Sequence, residues 1–296
     1  MPANQDHLDL APLLIDWKRH LRAKNLAPTT IQSYLNVAQQ FTAANSNSGK
    51  PLPAAIEDYL ADLTERTSAA NSSKHYRSLR QLFRWLIDEG EISANPMQRM
   101  HPPKQPEQPV KVFSDAELVR LLAACKGNSF NQRRNAAMIR TLADTGIRSA
   151  ELCGLQLTDV DLDTGQIMVM GKGRRIRIVP ISARTSESIS RYLRQRNRHT
   201  YAGLPDLWLG VKGRLTTSGL GQLLDRVGLR ASVSHVYPHR FRHSSAHLWL
   251  ANGGSERGLM RIMGWKSASM LGRYGASAQD ERARDEFRRL DLGSRL

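Results

Sequence analysis

Between residues 97 and 112 the chain carries Pro102, Pro103, Pro106 and Pro109, with almost nothing apolar that repeats. Proline fixes φ and has no N–H to donate, so neither a helix nor a central strand runs through this stretch. Proline spacing of this kind makes a semi-extended tether. It divides the 296 residues into two expected domains, 1–104 and 105–296, each of a size that one core organises.

The two sides differ in charge. Residues 1–100 hold 11 basic and 10 acidic side chains, and the remainder holds 32 and 17, so the formal net charge of +16 sits almost wholly in the second part. A field of that sign favours a polyanion, and nucleic acid is the commonest one in a cell. Arginine supplies 33 of the 43 cations, and its planar fork suits a two-point grip on phosphate. No apolar run approaches the ~20 residues a membrane-crossing helix needs. The start, MPANQDHLDL, has no basic stretch leading into an apolar one, so a cytoplasmic, nucleoid-associated protein is expected. Cys125 and Cys153 both lie among apolar residues and read as reduced core thiols.

Apolar spacing predicts a mainly helical chain with one small β-hairpin. In the first part, four helices are marked by Leu10/Leu14/Trp17/Leu21, by Ile31/Tyr34/Leu35/Ala38/Phe41 after Pro28, by Ile56/Tyr59/Leu60/Leu63, and by Tyr76/Leu79/Leu82/Phe83/Leu86. The second part opens with Ser114 and Glu117 in capping-box spacing before Leu118, Leu121 and Leu122. A helix follows over about 131–144, Gly146 suits its left-handed end, and a short helix resumes near Ser149. Residues 166–170, the turn Gly171-Lys172-Gly173 and residues 175–181 form the hairpin, with apolar residues at 176, 178 and, off strict alternation, 179. Short helices continue to about Leu290.

Several constellations invite chemistry. Asp159-x-Asp161-x-Asp163 resembles the start of a calcium loop, but the glycine is one place late and position twelve is Met170 instead of Glu. A polar turn entering the hairpin is the better reading. His239, His243 and His247 share a helix face, yet span ~12 Å, too far for one ion. His239 and Arg242 are i, i+3 neighbours behind Pro238 at a helix start. Two groups that repel as cations are reconciled by a shared anion, which a helix N-terminus also favours. Arg148 follows Gly146 and has Glu151 three residues on, Lys172 stands at a hairpin tip between two glycines, and Tyr274 comes nine residues after Trp265.

Taken in order, Arg148, Lys172, His239-x-x-Arg242, Trp265 and Tyr274 resemble the active site of the tyrosine recombinases, the phage integrase family. The stretch TGIRSAEL resembles that family's first-arginine motif, GKGRRIRIVPI its lysine hairpin, and Gly264-Trp265 its glycine followed by His or Trp. The likeness spans residues 145–275 and is closest in size to two-domain members of the Xer and phage type. It implies an N-terminal four-helix core-binding domain that clamps DNA and a C-terminal α+β catalytic domain. It also implies site-specific cleavage and rejoining of DNA through a 3′-phosphotyrosine. Integration or excision of a mobile element is the expected role. Xer-like resolution of chromosome or plasmid dimers by the same chemistry is the alternative, and a non-catalytic DNA-binding regulator is the rival from another class. The implied roles are Tyr274 as nucleophile, Arg148 and Arg242 on the phosphate oxygens, His239 in proton traffic, Lys172 as acid to the 5′-oxygen, Trp265 as a wall of the site and Glu151 as orienter of Arg148. Two guanidiniums supply the charge, so no metal is expected, and no phosphate-cradling glycine loop calls for a nucleotide cofactor. The implied partners are double-stranded DNA, a homo-tetramer assembled on two DNA sites, and accessory DNA-bending proteins.

Overall fold

The structure is a computed structural model that describes residues 10–45, 50–104, 111–171, 175–267, 271, 284 and 287–295. The chain forms two units, residues 1–108 and 109–296. Among the described residues no helix is long and apolar enough to cross a membrane.

The first unit consists of α1 (Leu10–Ala23), α2 (Pro28–Asn45), α3 (Leu52–Arg66) and α4 (Ala69–Asp88). Each buries the stripe that its apolar spacing marks, except that Tyr34 of α2 is half-buried at its edge, and Trp17, Phe41, Ile56, Leu79, Leu82 and Phe83 meet in one core. Phe41 packs edge-on against Tyr59 and Phe83, with ring centroids 5.3 and 6.1 Å apart. Polar groups inside this core are paired. The Tyr59 hydroxyl and His75 Nδ1 share a 2.9 Å hydrogen bond. Burial lowers the His75 pKa, so the ring is neutral at pH 7.

The second unit runs α5 (Asp115–Ala123), α6 (Phe130–Thr145), α7 (Ser149–Gly154), β1 (Val160–Asp161), β2 (Gln166–Met170), β3 (Ile176–Pro180), α8 (Ala183–Arg196), β4 (Leu209–Gly210), β5 (Gly213–Arg214), α9 (Thr217–Ala231), α10 (Pro238–Ala251) and α11 (Glu256–Met263). Ser114 and Glu117 cap α5 reciprocally, Ser129 and Gln132 do the same for α6, and Pro238 is at the first position of α10. The expected hairpin is the larger part of an antiparallel three-stranded sheet, β1-β2-β3. The short strands β1, β4 and β5 are additions that the sequence pattern does not announce, because two residues carry no period. The Asp159–Asp163 segment is a turn into the sheet. Asp161 Oδ1 accepts from the backbone N–H groups of Asp163 and Thr164, each at 3.0 Å.

The apolar residues of β3 fall on both faces, and Val179 decides which one is buried. The register pairs Ile167 with Val179 and Val169 with Arg177 on the inner side, and Met168 with Ile178 and Met170 with Ile176 on the outer. Ile176 and Ile178 are exposed, while Val179 is buried and Arg177 is half-buried. Side chains alternate strictly along a strand, so seating Val179 in the core carries Arg177 inward and both isoleucines outward.

Buried arginines brace this unit. Arg196 donates to the carbonyls of Ala202, Leu204, Asp206 and Leu207. Arg240 donates to Glu117 and to the Val112 carbonyl, and its guanidinium lies 3.9 Å from the Phe113 ring centroid. The second set fixes α10 against the chain entering the unit. Cys125 and Cys153 are buried free thiols, and burial pushes each pKa up to about 11.

Leu82 is fully buried in the first unit. Leu82→Ala is expected to cost about 2–5 kcal/mol through lost burial and a residual cavity, read from denaturant unfolding.

Candidate active site

Side chains from α7, β3, α10 and the segment after α11 converge just past the C-terminal end of α6. The chain must turn sharply there, and Gly146 ends α6 in the left-handed region at φ 57°. A side chain at this position would be strained, and its Cβ would stand 2.6 Å from Met263 Cε. The turn delivers Arg148 to the cap of α7.

Glu151 is the hub. Its carboxylate accepts from the Arg148 backbone N–H at 2.9 Å and from Arg148 Nη1 at 3.0 Å. Across the same carboxylate, Arg177 donates from Nη1 and Nη2 at 3.0 and 2.8 Å, a two-pronged pair. Arg177 Nε also donates to the Ile262 carbonyl at 2.8 Å, which ties β3 to the end of α11. The Glu151 side chain is only 6% exposed, whereas Arg148 is 40% exposed. Burial by itself would raise the Glu151 pKa. Hydrogen bonds from Arg177 and the Arg148 backbone, with both positive charges, outweigh it and bring the carboxyl below its ordinary value. Glu151 is therefore an anion at neutral pH, and Arg148 presents the open guanidinium.

Arg242 is buried and held from two sides. Nη1 donates to the Gly146 carbonyl and Nη2 to the Met263 carbonyl, both at 2.7 Å. Its guanidinium carbon lies 5.4 Å from the Trp265 ring centroid. Trp265 belongs to a small apolar cluster with Ala246, Leu250, Leu259 and Met263 that joins α10 to α11. Gly264 ends α11 at φ 64°, and a Cβ there would press to 3.3 Å on Arg177.

His239 opens α10 one turn before Arg242 and remains accessible to solvent. Its pKa is lowered, first by desolvation and then by the charges of Arg242 and Arg148. The ring is neutral at pH 7 and able to accept a proton. Its neighbour His243 stacks on it with centroids 6.0 Å apart.

Of the sequence-derived site residues, Arg148, Glu151, His239, Arg242 and Trp265 thus share one locality. Lys172 and Tyr274 lie outside the described residues. Sequence reasoning missed Arg177, the second partner of Glu151. Its signal was its place two residues before the buried Val179 and opposite Val169. It also missed a basic stripe on the first unit. Lys74, Arg77, Arg80 and Arg84 follow one another at helical spacing on the exposed side of α4. A groove of about 550 Å³ is lined there by Tyr34, Arg77, Arg80, Gln81, Arg84 and Asn95.

Comparison with known proteins gives a consistent result. The family model described as "Phage integrase family" matches residues 111–281, and "Phage integrase, N-terminal SAM-like domain" matches residues 13–90. The tyrosine recombinase XerC of Halalkalibacterium halodurans is 32% identical over 279 residues, covering 90% of this chain and 92% of that protein. XerC of Myxococcus xanthus is 29% identical over 278 residues, covering 90% and 93%. Among solved structures, the Tn1549 transposon integrase in complex with transposon right end DNA superposes with a TM-score of 0.76 at 21% identity, covering 96% of this chain and 99% of that one. A lambda integrase tetramer bound to a Holliday junction gives 0.72 at 18% identity, covering 92% and 78%.

Arg177→Ala leaves a buried carboxylate with one guanidinium partner in place of two, and is expected to cost about 3 kcal/mol in unfolding experiments. In NMR titration His239 is expected to have its midpoint below 6.5. Arg148→Ala removes a nearby cation and is expected to move that midpoint upward.

Proposed function

The chain belongs to the phage integrase family and is a tyrosine recombinase, an enzyme that cleaves and rejoins DNA at specific sites; on that premise we propose that Tyr274 is its nucleophile and that Arg148, Lys172, His239, Arg242 and Trp265 complete its active site. The observation that carries the reading is the two-guanidinium site. Arg242 is fixed by backbone carbonyls, and Arg148 is aimed by an ionised Glu151.

In the proposed reaction Arg148 and Arg242 take the non-bridging oxygens of one phosphodiester. These oxygens gain charge in the transition state, and fixed donors at that place lower the barrier without reorganising. The phenol oxygen of Tyr274 attacks phosphorus, forming a 3′-phosphotyrosine bond and breaking the bond to the 5′-oxygen. A free tyrosine has a pKa of ~10, so its proton needs an acceptor, and a neutral His239 is suited to that role. Lys172 gives a proton to the departing 5′-oxygen. Rejoining reverses the step with a 5′-hydroxyl from the partner strand. The phosphotyrosine conserves the bond energy, so the cycle needs no added fuel.

The α4 stripe and the excess charge of the second unit supply sequence-independent grip on duplex DNA. The assembly proposed is a homo-tetramer on two DNA sites, as in the lambda integrase tetramer on a Holliday junction. Of the two biological roles, Xer-like resolution of chromosome or plasmid dimers has the XerC relatives in its favour, since they match over nine-tenths of both chains. Integration or excision of a mobile element uses the same chemistry.

Tyr274→Phe is expected to retain DNA binding and to lose all covalent adduct on a nicked suicide substrate. An adduct that persists places the nucleophile elsewhere. Sequencing the DNA captured by the unaltered protein separates the two roles, because resolution sites lie within chromosomes or plasmids and integration sites at element ends.

A further inference from the structure

On the second unit, lined by none of the residues around Glu151, a basic cleft runs between α6 and α8. One part, of about 310 Å³, is lined by Lys126, Arg133, Arg140 and Arg191, and an adjoining part of about 190 Å³ by Arg140, Arg184 and Arg191. The active site described above uses none of these residues. The shared lining shows how the helices run. Arg140 and Arg184 meet at one end and Arg133 and Arg191 toward the other, so the two helices are antiparallel there. Consistently, the backbone N–H of Ser182, just before α8, donates to Asp144 near the end of α6 at 2.6 Å.

Each helix contributes a pair of arginines seven residues apart, which is two turns or about 10.5 Å along the axis. Arg184 and Arg191 are exposed, and Arg133 and Arg140 are half-buried. The acid among the lining residues is Glu187, which accepts from Arg191. Ser188 adds a hydroxyl between the rows. The stripe of α6 that carries Arg133 and Arg140 lies opposite the face that the helix buries through Asn135, Met138, Leu142 and Thr145. Arg242 of α10 reaches the end of α6 at the Gly146 carbonyl.

A face so lined selects its partner by chemistry. Protein-binding surfaces concentrate their energy in buried aromatic anchors, and among the described residues no aromatic side chain lines this cleft. Two rows of guanidinium forks with one countercharge fit a run of phosphates, each able to take a two-pronged contact. We propose that the α6–α8 cleft is a second DNA-backbone site, which holds a duplex segment other than the phosphodiester at the catalytic cluster. The inference rests on the recombinase reading only in taking DNA as the polyanion that the protein meets. Such a site lets one subunit hold flanking DNA or the second duplex while its catalytic cluster is occupied.

The test uses the full chain with Ser188→Cys coupled to an azidophenacyl photocrosslinker. Both labelled chains also carry Cys125→Ala, because Cys125, though buried, lines the cleft, and Cys153 is buried, so the label goes to the introduced cysteine. Irradiation with an end-labelled duplex of arbitrary sequence is expected to give a crosslinked product. Arg184→Gln combined with Arg191→Gln, two exposed positions with little bearing on folding, is expected to reduce that product at least fivefold. The same pair is expected to make the slope of log affinity against log salt shallower by about 2, one for each phosphate that the removed guanidiniums would neutralise. Gln81→Cys on α4, labelled in the same way, is the reference. Crosslinking from position 81 but not from 188 overturns the cleft and leaves the recombinase reading standing, as does crosslinking from 188 that the double variant leaves unchanged. Crosslinking from neither position overturns DNA binding itself, and the cleft with it.

Discussion

One carboxylate holds two guanidiniums in the second unit, and the site takes its shape from that. Glu151 is almost fully buried, and a buried anion is tolerated only when its charge and lone pairs are matched. Arg177 matches it permanently from inside the sheet. Arg148 matches it from the rim, with much of its guanidinium still in solvent. The division of labour follows from burial. The inner arginine neutralises the carboxylate, and the outer one is left aimed at whatever anion arrives.

This hub explains features that otherwise look unrelated. β3 presents an arginine to the interior and isoleucines to solvent because the strand must serve both the core, through Val179, and the carboxylate, through Arg177. Gly264 is close to Arg177, so the end of α11 and the start of the Trp265 segment are set by the same side chain. Gly146 ends α6 with its carbonyl turned to Arg242. Four helices and a strand are thereby referred to one locality, although their sequence separations reach a hundred residues and more.

The arginine-rich composition has two uses that no count separates. Arg134, Arg196 and Arg240 are buried and donate to carbonyls or, for Arg240, to Glu117. They brace loops and fix α10. The arginines of α4, and those lining the α6–α8 cleft, face solvent or lie half-buried with little countercharge. The guanidinium serves in both settings because it is always charged and offers several donors in a fixed plane.

Local signals in the chain were enough for much of this. Capping residues at Ser114 and Ser129, the left-handed turn at Gly146, Pro238 at a helix start and the apolar stripes of α1–α4 are each decided within a few residues of one another. The pairing of Arg148 with Glu151 is equally local, one helical turn apart. The ordered residues that resemble the recombinase active site were likewise readable, since identity and spacing are properties of the sequence. Tertiary structure alone decided the rest. It chose the face of β3, gave Glu151 a second arginine from 26 residues away, brought β1, β4 and β5 into pairing, and set α6 beside α8 to form a basic cleft. Each of these depends on which distant groups share a buried charge or a core, and such a balance of desolvation and pairing exists only once the chain has folded.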